Sequence, residues 1–150
     1  MFYESIAKVY DYIFPKNRKQ LEFVESIKKI SSEEKILDIG CATGNLTELL
    51  GEKTRNIVGI DLDKELLKEA KEKHPNLNFE NMNMLKINEK FEENSFDRVV
   101  SFGNTLVHLD SREEVEEFFQ KVYKTLKFNG FFIVQIINYN RIIEKNIKNL

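Results

Sequence analysis

Two carboxylates and two glycines are the residues of this chain best placed for chemistry. Asp38 lies in an apolar run, Ile36-Leu37-Asp38-Ile39, that leads into Gly40-Cys41-Ala42-Thr43-Gly44, and Asp61 closes a second run, Ile57-Val58-Gly59-Ile60. Glycines in such a turn let the backbone bend tightly and let a ligand come close. The helix that follows, marked by Leu46, Leu49 and Leu50, offers free amides with partial positive charge. Asp38 can accept hydrogen bonds from a cationic amino group, and Asp61, about twenty residues on, is spaced to hold both hydroxyls of a ribose.

Spacing argues against phosphate ligands. The second and third glycines of a dinucleotide fingerprint would fall on Ala42 and Asn45, which disfavours a nicotinamide-dependent oxidoreductase, and a P-loop would need a Gly-Lys pair where Asn45 stands. The set suits a nucleoside carrying an amino-acid tail. Asp38-Ile39-Gly40-Cys41-Ala42-Thr43-Gly44 resembles the first motif of the class I S-adenosylmethionine-dependent methyltransferases, Gly59-Ile60-Asp61 their second, and Phe96-Asp97-Arg98-Val99-Val100-Ser101 their fourth-strand motif. The resemblance implies S-adenosylmethionine as cofactor, S-adenosylhomocysteine as product, and methyl transfer to a small molecule. It places Asp38, Gly40, Cys41, Ala42, Gly44, Asp61, Leu62, Asn83, Met84, Phe102, Gly103 and Tyr10 around that cofactor. Asn83 stands where the family commonly has an aspartate facing the adenine amino group; its carbonyl can still accept that bond, with the Met84 thioether against the ring.

For the methyl acceptor, Gly103-Asn104-Thr105-Leu106-Val107-His108 and Asn138-Tyr139 resemble elements of glycine N-methyltransferase and related small-amine enzymes. Asn104 and His108 are the residues expected to position the acceptor or take up a proton. Ile137 replaces the arginine that in those enzymes precedes the Asn-Tyr pair, which argues against an amino-acid acceptor. A catalytically silent cofactor-binding module, or a truncated methyltransferase core, is the competing reading.

The elements that must position these residues alternate. A helix from the cap Asn17 through Leu21, Val24, Ile27 and Ile30 precedes the first strand; Asp63 caps a helix with inner residues Leu66, Leu67 and Ala70, ended by His74-Pro75, with His74 as a cation at its C-terminus. Leu77 to Asn81 reads as a third strand, Glu89 to Ser95 as a polar loop, and Phe96 to Phe102 as a fourth strand. Ser111 and Glu114 form a capping box for a helix buried through Val115, Phe118, Phe119, Val122 and Leu126 and closed at Phe128-Asn129-Gly130. Phe131 to Ile137 reads as a strand covered on both faces. This predicts an α/β, Rossmann-like methyltransferase fold, a mostly parallel sheet in the order 3-2-1-4-5 with helices on both faces. The family's last two strands have no counterpart here, so a truncated form, or a homodimer covering the fifth strand's edge, is expected.

Composition sets the remaining bounds. The 150 residues, with a net charge of -2, predict one domain with no electrostatic reason to bind nucleic acid or an anionic membrane. Cys41 has no disulfide partner and no neighbours at metal-ligand spacing, so no metal is expected and a reducing, cytoplasmic location is. Residues 1–16 are rich in aromatics (Phe2, Tyr3, Tyr10, Tyr12, Phe14) and read as an N-terminal arm or a lid that excludes water from the cofactor.

Overall fold

The computed structural model describes residues 7–147. Five strands, β1 (Ile36–Ile39), β2 (Ile57–Asp61), β3 (Asn78–Asn81), β4 (Phe96–Ser101) and β5 (Leu126–Val134), form one parallel sheet in the order β3-β2-β1-β4-β5. Around it lie α1 (Tyr10–Ile13), α2 (Arg18–Ile27), α3 (Asn45–Gly51), α4 (Lys64–Lys73), α5 (Ile87–Lys90), α6 (Arg112–Thr125) and α7 (Tyr139–Glu144). The strand order reverses between β1 and β4, and Asp38 is in register with Gly59 on one side and Val100 on the other. The carboxyl ends of β1, β2 and β4 are thereby brought together at the point where open α/β sheets bind ligands.

Alternation along β1 builds both faces. Ile36 packs with Leu21, Val24, Leu46, Leu49, Leu50 and Val100 on the side of α2 and α3, whereas Leu37 and Ile39 pack with Val99, Ile87, Phe118 and Val122 on the side of α6. Cys41, Leu67, Ala70 and Phe79 make a third cluster where α4 meets the glycine turn. Caps fix where helices begin: Asn17 accepts from the Lys19 amide, Asp63 from Glu65 and Leu66, and Ser111 from Glu114. The Glu114 carboxylate accepts from the Asp110 amide at 2.8 Å, closing the box one residue earlier than expected.

Among the described residues Arg98 carries a charge deep into the core, where the buried Glu34 meets it. Arg98 is fully buried; its guanidinium donates to Glu34 at 2.6 Å and to the carbonyls of Val24 and Lys29, and it lies 5.5 Å from the centre of the Phe131 ring. With five donors in a fixed fork, arginine can satisfy itself internally where a lysine could not.

Several sequence expectations are corrected. Helix α2 stops at Ile27, although Ile30 still packs on the core. Residues 87–90 form a short helix, with the polar loop beginning after them. On α6, Phe118, Val122 and Thr125 are buried while Phe119 is exposed, and Leu126 already belongs to β5. No glycine closure separates the two: β4–β5 pairing jumps from Phe96–Leu126 to Arg98–Phe131, so residues 127–130 bulge out, with Asn129 left-handed at φ 63°. Strand β5 ends at Val134 and is covered only in part, by Ile133 on the side of α2 and α3 and by Phe132 on the side of α6. Only Ile133 is buried, and Phe128 is 93% exposed. Phe2 and Tyr3 lie outside the described residues. Among those described, no helix is long and apolar enough to cross a membrane.

Candidate functional site

The turn between β1 and α3 is held by β2. The Gly40 and Cys41 amides both donate to the Ile60 carbonyl, and the Ala42 amide donates to Asp61 Oδ2 at 2.8 Å. Asp61 Oδ1 accepts from the Asp63 amide at 2.9 Å. The second carboxylate thus ties the turn to the end of β2 and starts α4, while each oxygen keeps a lone pair for a ligand. Burial pushes Asp61 above the ordinary carboxylate range, against the amides of Asp63 and Ala42, which pull it down.

Asp38 lies beneath the turn, 1% exposed, with Thr47 Oγ1 donating to its Oδ2 at 2.6 Å. Burial pushes its carboxyl up to about 7; the Thr47 bond opposes this, and the negative field of Asp61 adds to it. The two acids therefore sense each other at one sheet edge. A cationic group brought to Asp38 would complete a charge-assisted bond and restore the carboxylate. The Cys41 thiol is driven well above its usual value by burial and by both acids, which suits an inert packing residue.

The glycines of the turn bend the backbone as inferred, but the space beside them is not left to a ligand. Gly40 and Gly44 have φ of 77° and 83°; a Cβ at Gly40 would lie 2.2 Å from Thr105 Oγ1, and one at Gly44 2.7 Å from the Phe79 ring. Their space is filled by the protein itself. Gly103, with φ 71° and nothing within 4 Å of its Cβ position, is the glycine that borders open space. Ala42 also takes a left-handed φ of 47°.

Other residues singled out by sequence fall at the same edge, some with their polar atoms already engaged. Leu62 follows Asp61 and is 67% exposed. The Asn83 carbonyl accepts from the Leu85 amide at 2.8 Å, so one of its lone pairs is engaged, and Met84 packs partly against the core. The Phe102 side chain belongs to the core cluster of α2 and α3. Asn104 has a left-handed φ of 68° and both ends of its amide engaged: Oδ1 accepts from Ile137 and Nδ2 donates to Tyr139. His108 ends a short 3-10 turn, Thr105–His108, and is exposed.

The arm meets the turn through Asp11, the neighbour of Tyr10. Thr43 Oγ1 donates to Asp11 at 2.5 Å, Asn45 Nδ2 at 3.0 Å, and Lys73 Nζ at 2.7 Å. Lys16 pairs with Glu48 beside them. Tyr10 stacks at a tilt on Phe14, with centroids 4.8 Å apart. His74 is not the helix-end cation expected: burial lowers its pKa despite Glu48 nearby, and its Nε2 is buried without a partner among the described residues.

Residues 36–130 match the family model described as a methyltransferase domain. A methyltransferase-named protein of Geobacillus sp. strain WCH70 is 30% identical over 145 residues, 91% of this chain and 58% of that protein. An S-adenosylmethionine-dependent methyltransferase structure from Clostridium acetobutylicum superposes with a TM-score of 0.76 at 23% identity, over 97% of this chain and 61% of that one. The S-adenosylmethionine-bound amino pentose methyltransferase of Micromonospora echinaspora gives 0.75 at 18% identity, over 86% and 56%. The chain spans about three-fifths of the length of these relatives. With the sheet order and the joined motifs at its carboxyl edge, the chain belongs to the methyltransferase domain family and has the class I S-adenosylmethionine-dependent methyltransferase fold.

Proposed function

We propose that the chain binds S-adenosylmethionine and transfers its methyl group to a small-molecule acceptor by in-line displacement. The observation that carries this reading is the bond from the Ala42 amide to Asp61, which puts the first and second motifs into one site. Asp61 would hold the ribose hydroxyls, Asp38 the ammonium of the methionine tail, and the segment around Asn83 and Met84 the adenine. The open space beside Gly103 fits a ligand approaching the backbone.

The sulfonium supplies an activated methyl group, so the protein's task is alignment and exclusion of water. Asp11 fastens the arm against Thr43 and Asn45, which gives Tyr10 a fixed wall from which to cover the cofactor. The Thr105–His108 turn lies against Gly40 and forms the side on which the acceptor would enter. Calorimetric titration with S-adenosylhomocysteine and then NADH tests the cofactor assignment. Release of S-adenosylhomocysteine from S-adenosylmethionine in the presence of amines, phenols and carboxylates tests transfer. Binding without turnover across that panel would favour a binding module.

A further inference from the structure

The loop after β4 and the segment after β5 are stitched together by side chains. The Gly103 amide donates to Gln135 Oε1 at 2.8 Å, the Ile137 amide donates to Asn104 Oδ1 at 3.1 Å, and Asn104 Nδ2 donates to the Tyr139 hydroxyl at 2.8 Å. The stitch adjoins the glycine turn, because Thr105, next to Asn104, fills the space above Gly40. A chain of direct contacts and adjacent residues therefore runs from Gly40 through Thr105 and Asn104 to Tyr139.

The polarity of this chain is fixed. A backbone N–H can only donate, so the Ile137 amide dictates which end of the Asn104 side chain is oxygen, and the amino end must face Tyr139. The phenol oxygen consequently accepts, and its own proton points away from Asn104. Among the described residues the phenol makes no other hydrogen bond, and Tyr139 is 43% exposed. A hydroxyl whose oxygen already accepts is polarised toward donating.

We propose that Tyr139 is a substrate-binding donor, with Asn104 as its positioning residue, and that the methyl acceptor carries an oxygen acceptor group, a carboxylate or a phosphate, for the Tyr139 proton. The assignment rests on the methyltransferase reading. It moves acceptor recognition from the Asn104 amide, whose two ends are both engaged, to the phenol that this amide orients. Charge-assisted O–H···O⁻ bonds are short and about twice as strong as neutral ones, which favours an anionic group on the acceptor.

Asn104→Asp reverses the chain without removing it: the new carboxylate still accepts from Ile137 but also accepts from Tyr139, so the phenol proton turns inward. Protein labelled at tyrosine Cζ with carbon-13 and saturated with S-adenosylhomocysteine is titrated with acetate, inorganic phosphate, dimethyl sulfoxide and guanidinium; Tyr139→Phe identifies the Tyr139 resonance. The expected result is a saturable Tyr139 shift with acetate and phosphate, a weaker one with dimethyl sulfoxide, and none with guanidinium. In Asn104→Asp the apparent affinities for acetate and for uncharged dimethyl sulfoxide both fall about tenfold or more. The dimethyl sulfoxide arm separates proton reversal from simple repulsion of an anion. No shift with any oxygen acceptor, an equal shift with guanidinium, or unchanged dimethyl sulfoxide binding in Asn104→Asp would overturn the proposal. Failure of S-adenosylhomocysteine to bind at the outset would count against the methyltransferase reading instead, and the same titration of the free protein would still decide the role of Tyr139.

Discussion

Asp11, in the first turn of the arm, accepts from Thr43 Oγ1 at 2.5 Å across 32 positions of chain, and the same carboxylate takes the Lys73 ammonium at the far end of α4. One side chain thus joins the arm, the cofactor turn and a scaffold helix. Burial alone would raise its pKa, but the bonds from Lys73, Thr43 and Asn45 outweigh that and hold it below the ordinary value. The stabilisation is therefore present above pH 4 or so and lost as pH falls through the lowered value. Because both partners are about a third exposed, Asp11→Ala is expected to cost only about 1 kcal/mol of stability. Hydrogen exchange of residues 7–14 should rise markedly, and S-adenosylhomocysteine should dissociate faster. An arm equally protected in the variant would show that other contacts hold it.

Asp38 should give the site a pH dependence of opposite sign. Its pKa in the folded chain is raised to about 7, so its contribution to stability is complete below about pH 4. That contribution is lost as pH rises toward 7, by up to about 1.4 kcal/mol per pH unit. Cofactor binding should run the other way. If Asp38 must ionise to hold the ammonium, affinity for S-adenosylhomocysteine rises about tenfold per unit from pH 5.5 to 7 and levels off above. Asp38→Asn should abolish that slope. Calorimetry across this range checks it, and a flat wild-type profile would remove Asp38 from ammonium binding.

The Glu34–Arg98 pair predicts a stability effect far from the site. Glu34→Ala leaves a fully buried guanidinium without its counter-ion and should cost about 3–5 kcal/mol in denaturant unfolding. Combining it with Arg98→Met removes the orphaned charge and should recover most of that loss. A single variant within about 0.5 kcal/mol of wild type would mean that the Val24 and Lys29 carbonyls suffice.

The parts of the molecule that were legible in sequence are those where local pattern and final environment agree. Ile36–Ile39 and Ile57–Asp61 are apolar runs ended by turn chemistry, and they became buried parallel strands. Asp63 and Ser111 read as caps and are caps. What failed depended on neighbours distant in the chain. Phe128-Asn129-Gly130 looks like a helix stop, yet pairing with β4 pulls those residues into a bulged strand. Arg98 stands in the fourth-strand motif with no local sign of its partner Glu34, 64 positions away. At the site, the turn and the Asp61 spacing were visible, whereas the Asp11 latch and the double engagement of Asn104 were not. Each of those needs a partner from a different element.

The most direct test of the central claim is a calorimetric titration of S-adenosylhomocysteine into the wild-type chain and into Asp61→Ala, with thermal unfolding as a control for folding. Saturable one-site binding to the wild type is predicted, weakened in a folded Asp61→Ala variant by about 1.5–3 kcal/mol, the scale of hydrogen bonds to a charged group. No binding to the wild type, or equal affinity in the two proteins, would contradict a site in which the glycine turn and Asp61 hold one adenosyl ligand between them.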